Sequence, residues 1–381
     1  MDYPLLKEKD FSHKYFKIAL RTIKSSSRIL VWGDEDADGM TSTALLVRAL
    51  RDAGKNTDYF IPSRTRDGIG ITDKGIDRIK RKKFDCLITV DCGTVNYDAI
   101  KKLLKRKIKV IITDHHVPHS RLVEKVPYIN PHILRKRKFM NLSGAGVAYI
   151  FSWFLLKKLK SADDLTETWH ENKKNLSLAA LGTICDRVPD SPLNRELMYN
   201  IGYFMKEYRE FKKAGVSKNE ICSIVTSSKT VRTRHTMVDI FIENRGLTEE
   251  SRLKHIKTCK KNALDYKTAV ERICNKLIDR INYDGFRNRI LLIEKRVEYK
   301  YIGVAASKLT EKFEVPVCII GTKGKTLSGE CRAKNPYNWV KKLEGQKEYF
   351  LSWGGHPQAA GFTLKGEMLE RFVDAFNSDS D

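Results

Sequence analysis

The chain has 381 residues, 41% of them hydrophobic, and carries a formal net charge of +24. That length supports two domains with cores of their own, and the apolar content is that of a globular protein. No apolar run approaches about 20 residues, which excludes a membrane-spanning helix, and the basic balance points to a polyanionic partner.

Residues 1–27 are predicted polar and helical. Ile29-Leu30-Val31-Trp32 reads as a buried strand that ends in Gly33 and then Asp34-Glu35-Asp36-Ala37-Asp38-Gly39. The stretch from Thr41 to Ala53 carries the apolar face of a crossover helix. Tyr59-Phe60-Ile61-Pro62 reads as a short strand, followed by a glycine-containing loop, Ser63 to Gly70, that should border a crevice. Cys86 to Val90 is a third strand, ending in Asp91-Cys92-Gly93. Ile108 to Thr113 is a fourth, ending in Asp114-His115-His116. Helices are expected over 144–158 and 176–184, the second feeding Thr183-Ile184-Cys185-Asp186. From about 196 to 282 the sequence is polar and helix-rich. From about 287 the strands Arg289–Ile293, Val315–Ile320 and Phe362–Leu364 announce a second, smaller α/β domain.

Three strands separated by helices should lie parallel and side by side, and ligands of such sheets bind beyond the carboxyl ends of the strands. Five aspartates and two histidines would then converge on one crevice. Any one of these aspartates alone would pass for a helix cap or turn residue. Three acidic strand ends in parallel, with histidines beside one of them, do not. Such a concentration of negative charge calls for divalent metal, more than one ion, of the kind that takes carboxylate and imidazole ligands. Asp36-x-Asp38 turns two carboxylates into one pocket, and Gly39 allows close backbone approach where a helix opens.

The eight cysteines form no C-x-x-C pair and several lie in apolar runs, so they read as reduced core residues of a cytoplasmic protein. Met1-Asp2-Tyr3-Pro4 has no basic-then-apolar order, so no secretory signal is expected. The basic runs Lys80–Lys83 and Lys101–Lys107 fall on helices at the far end of the strands and read as solvated faces. Arg135–Lys138 and Lys229–His235 are the candidates to track a phosphate backbone. Trp353 reads equally as a core aromatic or as a platform for a base.

The four acidic segments, Asp34–Gly39, Val90–Gly93, Thr113–His116 and Gly182–Asp186, resemble in order the motifs of DHH-family phosphoesterases. Ser352-Trp353-Gly354-Gly355-His356 resembles the Gly-Gly-His motif of the DHH-associated domain. Ile61–Arg64 with Asp67-Gly68, Asn130-Pro131, Gly144–Ala148, Asn194-Arg195 and Gly303–Ser307 are similar to the RecJ-like single-strand exonucleases within that family. The resemblance implies an α/β fold: a parallel-sheet DHH domain over 1–195, a helical connecting region over 196–284 and a smaller α/β DHH-associated domain over 285–381. It implies a hydrolase that cuts single-stranded DNA or RNA with two Mn ions, or Mg in their place. Asp36, Asp38, Asp91, His115 and Asp186 would be the metal ligands, with Asp91 bridging and Asp34 a further ligand or a carboxylate beside them. His116, Asp91 and Asp114 would form the catalytic set. Gly354, Gly355, His356, Arg332, Ser307 and Arg64 would hold substrate. Glu35 stands where the family usually has His or Tyr, and Glu330 and Ala333 flank Arg332 where the family often has serines.

The second domain would face the crevice across a gap one strand wide, and the chain would be a minimal core without an added oligonucleotide-binding barrel. Replication or repair proteins are the expected partners, and no membrane. Two other readings remain: a phosphodiesterase for short oligonucleotides or cyclic dinucleotides, whose family members share these motifs, and a non-catalytic subunit of a replication complex, as in family members that have lost the metal site. The charge of +24 favours a long polyanion over the first, and the intact acidic motifs favour catalysis over the second.

Overall fold

A computed structural model gives the architecture. The structure describes residues 6–378 except 65, 69, 119–120, 161–171, 232, 234, 285–288 and 325, with backbone alone at 283, 284 and 356. Arg232, Arg234 and residues 379–381 therefore lie outside the described residues. The chain divides into two units, Met1–Ala263 and Leu264–Asp381.

The first unit is built on five parallel strands: β1 (Ile29–Trp32), β2 (Thr57–Phe60), β3 (Cys86–Thr89), β4 (Lys109–Thr113) and β5 (Tyr128–Ile129). Their order is β2-β1-β3-β4-β5. Every residue of β1 and β3 is buried, as continuous apolar runs require of a parallel sheet covered on both faces. The two-residue period divides β1 between two cores. Ile29 and Val31 pack with the Ala37–Asp52, Gly144–Leu159 and Lys173–Cys185 helices. Leu30 and Trp32 pack with the Asp73–Arg81 and Tyr97–Lys105 helices on the other face. The second strand ends at Phe60, two residues before the predicted end. Phe60 is the last residue in register with β1, opposite Trp32. The next amide, of Ile61, donates to His235 Nε2 at 3.1 Å instead.

Short helices follow the acidic motifs. Pro192–Tyr199, Ile221–Ser227 and His235–Phe241 contribute Leu193, Ile224, Val225 and Phe241 to the same core as the sheet. In the 36-residue helix Glu249–Asp284, Ile256 and Cys259 belong to the core shared with Ile29 and Val31, and Val270, Cys274 and Leu277 to a separate core with Ile290 and Val317.

One expectation is corrected. Cys185 and Cys222 form a disulfide, with their Cα atoms 5.5 Å apart, and six cysteines are free. The two lie 37 residues apart on helices that only tertiary packing brings together, so their spacing carried no sign of it. The basic clusters are also partly committed. Lys102 and Arg106 pair with Asp73 and Asp77 on the neighbouring helix. Lys138 pairs with Asp10 at 2.6 Å, which ties part of the Arg135–Lys138 run to the amino-terminal segment.

The second unit has a mixed sheet of β6 (Ile290–Glu298), β7 (Val317–Lys323), β8 (Thr326–Arg332), β9 (Phe350–His356) and β10 (Ala359–Leu364), in the order β6-β7-β8-β10-β9. Only the β6–β7 pair is parallel. The Tyr299–Phe313 helix packs on one face and the Leu369–Ser378 helix on the other. Among the described residues no helix is long and apolar enough to cross a membrane.

Candidate metal centre

The chain leaves β1 for β2 on one side, while β3 lies on the other side of β1. This reversal opens a crevice beyond the carboxyl ends of the strands. Residues 34–38 follow β1, Asp91 follows β3 and Asp114–His116 follow β4.

Each side chain is held by local structure. Asp36 caps the Ala37–Asp52 helix, its Oδ1 accepting from the Gly39 amide at 2.9 Å. Asp38 lies in the first turn of that helix and is buried. Its two oxygens accept the amides of Gly144 and Ala145 at 2.7 and 2.9 Å, at the amino end of the Gly144–Leu159 helix. Asp91 is buried with a left-handed backbone, φ 58°, which a residue with a side chain adopts at a cost and which clusters at functional sites. A Cβ at position 144 would lie 2.6 Å from that of Asp91, so the bare backbone of Gly144 makes room for the carboxylate. Asp186 follows the Lys173–Cys185 helix as its carboxyl-terminal cap.

The ligand atoms form three overlapping groups, each within 4.8 Å: Asp34, Asp36 and Asp91; Asp91, His115 and His116; Asp38, His115 and Asp186. His115 Nε2 lies 3.1 Å from Asp91 Oδ1 and 3.6 Å from Asp186 Oδ2. Asp91 and His115 each belong to two groups. Burial raises the Asp38 carboxyl to about 7, with the charge of Asp186 adding to it. Burial and the neighbouring Asp38 and Asp36 push Asp91 well above the carboxylate range. Burial raises Asp34 and Asp186 as well. These are carboxylates that a cation would relieve.

Asp114 behaves in the opposite way. Burial works to raise it, yet hydrogen bonding and charge from His116, with the Thr94 amide, hold it at about 2. It accepts His116 Nδ1 and the His115 amide, both at 2.8 Å, and the Thr94 amide at 2.9 Å. The bond to Asp114 in turn raises His116 to about 9, so that imidazole is a cation at neutral pH. Asp114 thus orients the His115-His116 turn and does not join any of the three groups.

Arg64 pairs with Asp34, and its Nη2 lies 3.5 Å from Asp36 Oδ2. Glu35, whose part the sequence left open, is buried and accepts the Arg64 amide at 3.0 Å, anchoring the Arg64 loop over the crevice. Asn130 stands in one of the family-like motifs, where the sequence gave it no role. Its Nδ2 donates to the His116 carbonyl at 2.9 Å and to Thr94 Oγ1 at 3.0 Å, which ties the β4 and β3 loops together. The signal available for it was a polar residue directly after an apolar strand. The remaining predicted substrate residues, Arg332, Ser307, Gly354, Gly355 and His356, all lie in the second unit.

The DHH family, N-terminal domain, matches residues 28–183, and the DHHA1 domain matches residues 287–379. The chain belongs to the DHH family. Its relatives make it RecJ-like. It is 26% identical to the single-stranded-DNA-specific exonuclease RecJ of Bacillus subtilis (strain 168), over 95% of this chain and 46% of that protein. The RecJ of Thermus thermophilus is 27% identical over 92% of this chain and 51% of its own length. The chain thus spans about half the length of these two relatives. A crystal structure of exonuclease RecJ bound to manganese superposes with a TM-score of 0.79 at 24% identity, over 99% of this chain and 96% of that one. A structure of Thermus thermophilus RecJ with Mn2+ also gives 0.79, at 23% identity, over the whole of this chain and 56% of that one. Both share the α/β fold described above.

Proposed function

We propose that the chain is a divalent-metal-dependent exonuclease that hydrolyses phosphodiester bonds of single-stranded nucleic acid. One observation carries the reading: carboxylates and imidazoles from three strand ends and one helix end meet in a crevice that charge repulsion makes costly without a cation. The donor set of carboxylate oxygens with imidazole nitrogen fits Mn or Mg. The RecJ relatives are single-stranded-DNA-specific exonucleases, matched over most of this chain, and RecJ structures hold Mn2+ or Mg2+. The basic balance of +24 suits a long polyanion.

In this reading Asp36, Asp38, Asp91, His115 and Asp186, with Asp34, would hold the divalent ions, two in number; Asp91 belongs to two of the three ligand groups. Bound there, divalent ions would supply an activated water and neutralise charge on the phosphate. The chain's own residues do the rest. His116, held at Nδ1 by Asp114, would present Nε2 to a phosphate oxygen or to the leaving oxygen. Arg64, which pairs with Asp34 and lies beside Asp36, would hold the substrate backbone at the edge of the carboxylates. Arg332, Ser307 and the Gly354–His356 segment hold the strand from the second unit.

The test is digestion of end-labelled single strands, DNA and RNA in parallel, with Mn, with Mg and with EDTA. Stepwise shortening that needs metal is the expected result. Cleavage confined to dinucleotides would make the chain a small-substrate phosphodiesterase. No metal bound by elemental analysis and no hydrolysis would make it a non-catalytic subunit.

A further inference from the structure

The second unit carries a carboxylate in the middle of the face proposed to hold a phosphate backbone. Glu330 and Arg332 stand on the same face of β8, two residues apart. Arg332 Nη1 lies 2.9 Å from Glu330 Oε2, and the same nitrogen donates to the Cys331 carbonyl at 2.8 Å. The Tyr299 hydroxyl donates to the other Glu330 oxygen. Thr310 Oγ1 donates to the Arg332 carbonyl at 3.2 Å. The helix packed on β8 has a glycine at the contact. A Cβ at Gly303 would lie 3.0 Å from Arg332 Nη2 and 3.3 Å from Glu330 Oε2. Sequence and packing therefore both make space for the pair.

The neighbouring strands leave the adjoining surface bare. Glu330 is in register with Gly361 of β10, and Gly361 with Gly354 of β9. A Cβ at Gly354 would meet nothing within 4 Å. One row of this sheet face thus runs from a carboxylate, whose Oε1 lies over Gly361 (3.3 Å from a Cβ built there), to the open glycine floor at Gly354. In the next row Arg332 is in register with Ala359, and Ala359 with position 356. A carboxylate beside a phosphate site repels the ligand unless it does something else. Here both its oxygens are engaged with groups that it holds in place, and its side chain is only 15% exposed against 24% for Arg332.

We propose that Glu330 is the positioning residue for Arg332: it fixes the guanidinium at the edge of the glycine floor, so that a single-stranded backbone meets a preset donor. Resting on the function proposed above, this assigns to Glu330 a gain in substrate binding that outweighs its charge repulsion. A guanidinium held by a charge-assisted bond gives up less freedom when it takes a phosphate.

The experiment is a double-mutant cycle on the full chain. Affinity for a fluorescein-labelled single-stranded oligonucleotide is read by anisotropy in EDTA, and KM and kcat are read with Mn. Glu330→Ala should weaken binding about 10-fold, the scale of one charge-assisted contact, and raise KM with kcat unchanged. Arg332→Ala should lose about as much, and the double variant no more than Arg332→Ala alone. Glu330→Gln, which keeps an acceptor oxygen for Arg332 and turns an NH2 that can donate toward the Tyr299 hydroxyl, should recover part of the loss. Binding by Glu330→Ala equal to or tighter than wild type, or losses that add in the double variant, would overturn the assignment. So would an Arg332→Ala variant that binds normally. Wild-type binding and metal-dependent cutting are scored first, and their absence would sink the proposed function itself.

Discussion

Asp91 concentrates the electrostatic cost of the crevice. It is buried, its backbone is left-handed, and Asp38 and Asp36 oppose its ionisation. Asparagine tolerates that backbone, keeps the shape and removes the charge. Asp91→Asn should lower hydrolysis at least about 10²-fold, the scale for losing one charge-stabilising group, while the protein stays folded. Its stability should also change with pH in a defined direction. A carboxyl raised by folding contributes stability that is full below its unfolded value, near 3.8, and lost as pH rises through the folded value. Metal-free wild type should therefore melt progressively lower between about pH 4 and pH 8 relative to Asp91→Asn, which should be the more stable of the two at pH 8. Melting curves in EDTA that run parallel across this range would remove Asp91 as a repelling charge. The Asp114–His116 pair works the other way at both ends. The contribution of Asp114, held at about 2, is full above 3.8 and lost as pH falls through about 2; that of His116, at about 9, is full below 6.5 and lost as pH rises through about 9. His116→Ala should thus destabilise the metal-free chain most between about pH 4 and 6.5 and least above pH 9. A constant difference in melting temperature would contradict the pairing.

At the scale of elements, the centre depends on three helices meeting without side chains in the way. A Cβ at Gly182 would lie 2.3 Å from Ala145 Cβ, 2.5 Å from Thr41 Oγ1 and 2.6 Å from Asp38 Oδ1. Those three residues belong to the Gly144–Leu159 and Ala37–Asp52 helices. Gly182→Ala must therefore part the helices or push Asp38 off the amides of Gly144 and Ala145. Overpacking of this kind costs about 1–3 kcal/mol, against the modest gain that alanine brings to an unhindered helix. The variant should unfold at lower denaturant and bind Mn more weakly by titration calorimetry. Unchanged stability together with unchanged Mn affinity would show that the contact relaxes freely.

For the whole molecule the net charge of +24 sets the expectation. Each phosphate neutralised by Lys or Arg releases counterion, with a log–log salt slope of about −0.7 per contact for single strands. Several contacts should give steep salt dependence even though Lys138, Lys102 and Arg106 are engaged in internal ion pairs. Affinity and cutting rate against salt, for matched single-stranded and blunt duplex substrates, test two things separately. A flat salt response would favour a small substrate. Equal cutting of both forms would remove strand selectivity, which charge alone does not supply.

The parallel sheet and the acidic strand ends were legible in the sequence because both are local. Unbroken apolar runs of four or five residues mark strands buried on both faces, and the residues just after each run must lie at its carboxyl end. The order of Asp34–Asp38, Asp91 and Asp114–His116 along the chain therefore already implied one crevice. Tertiary structure decided the features that depend on residues distant in sequence. It set the strand order that places β1 beside β3, the Asp38 contacts with Gly144 and Ala145, the anchoring of Arg64 by Glu35, and the Cys185–Cys222 bridge. It also divided the carboxylates into those raised by repulsion and Asp114, held low by His116. Residue type fixes a carboxylate's chemistry, but its neighbours in space fix its charge, and spacing along a chain does not report those neighbours.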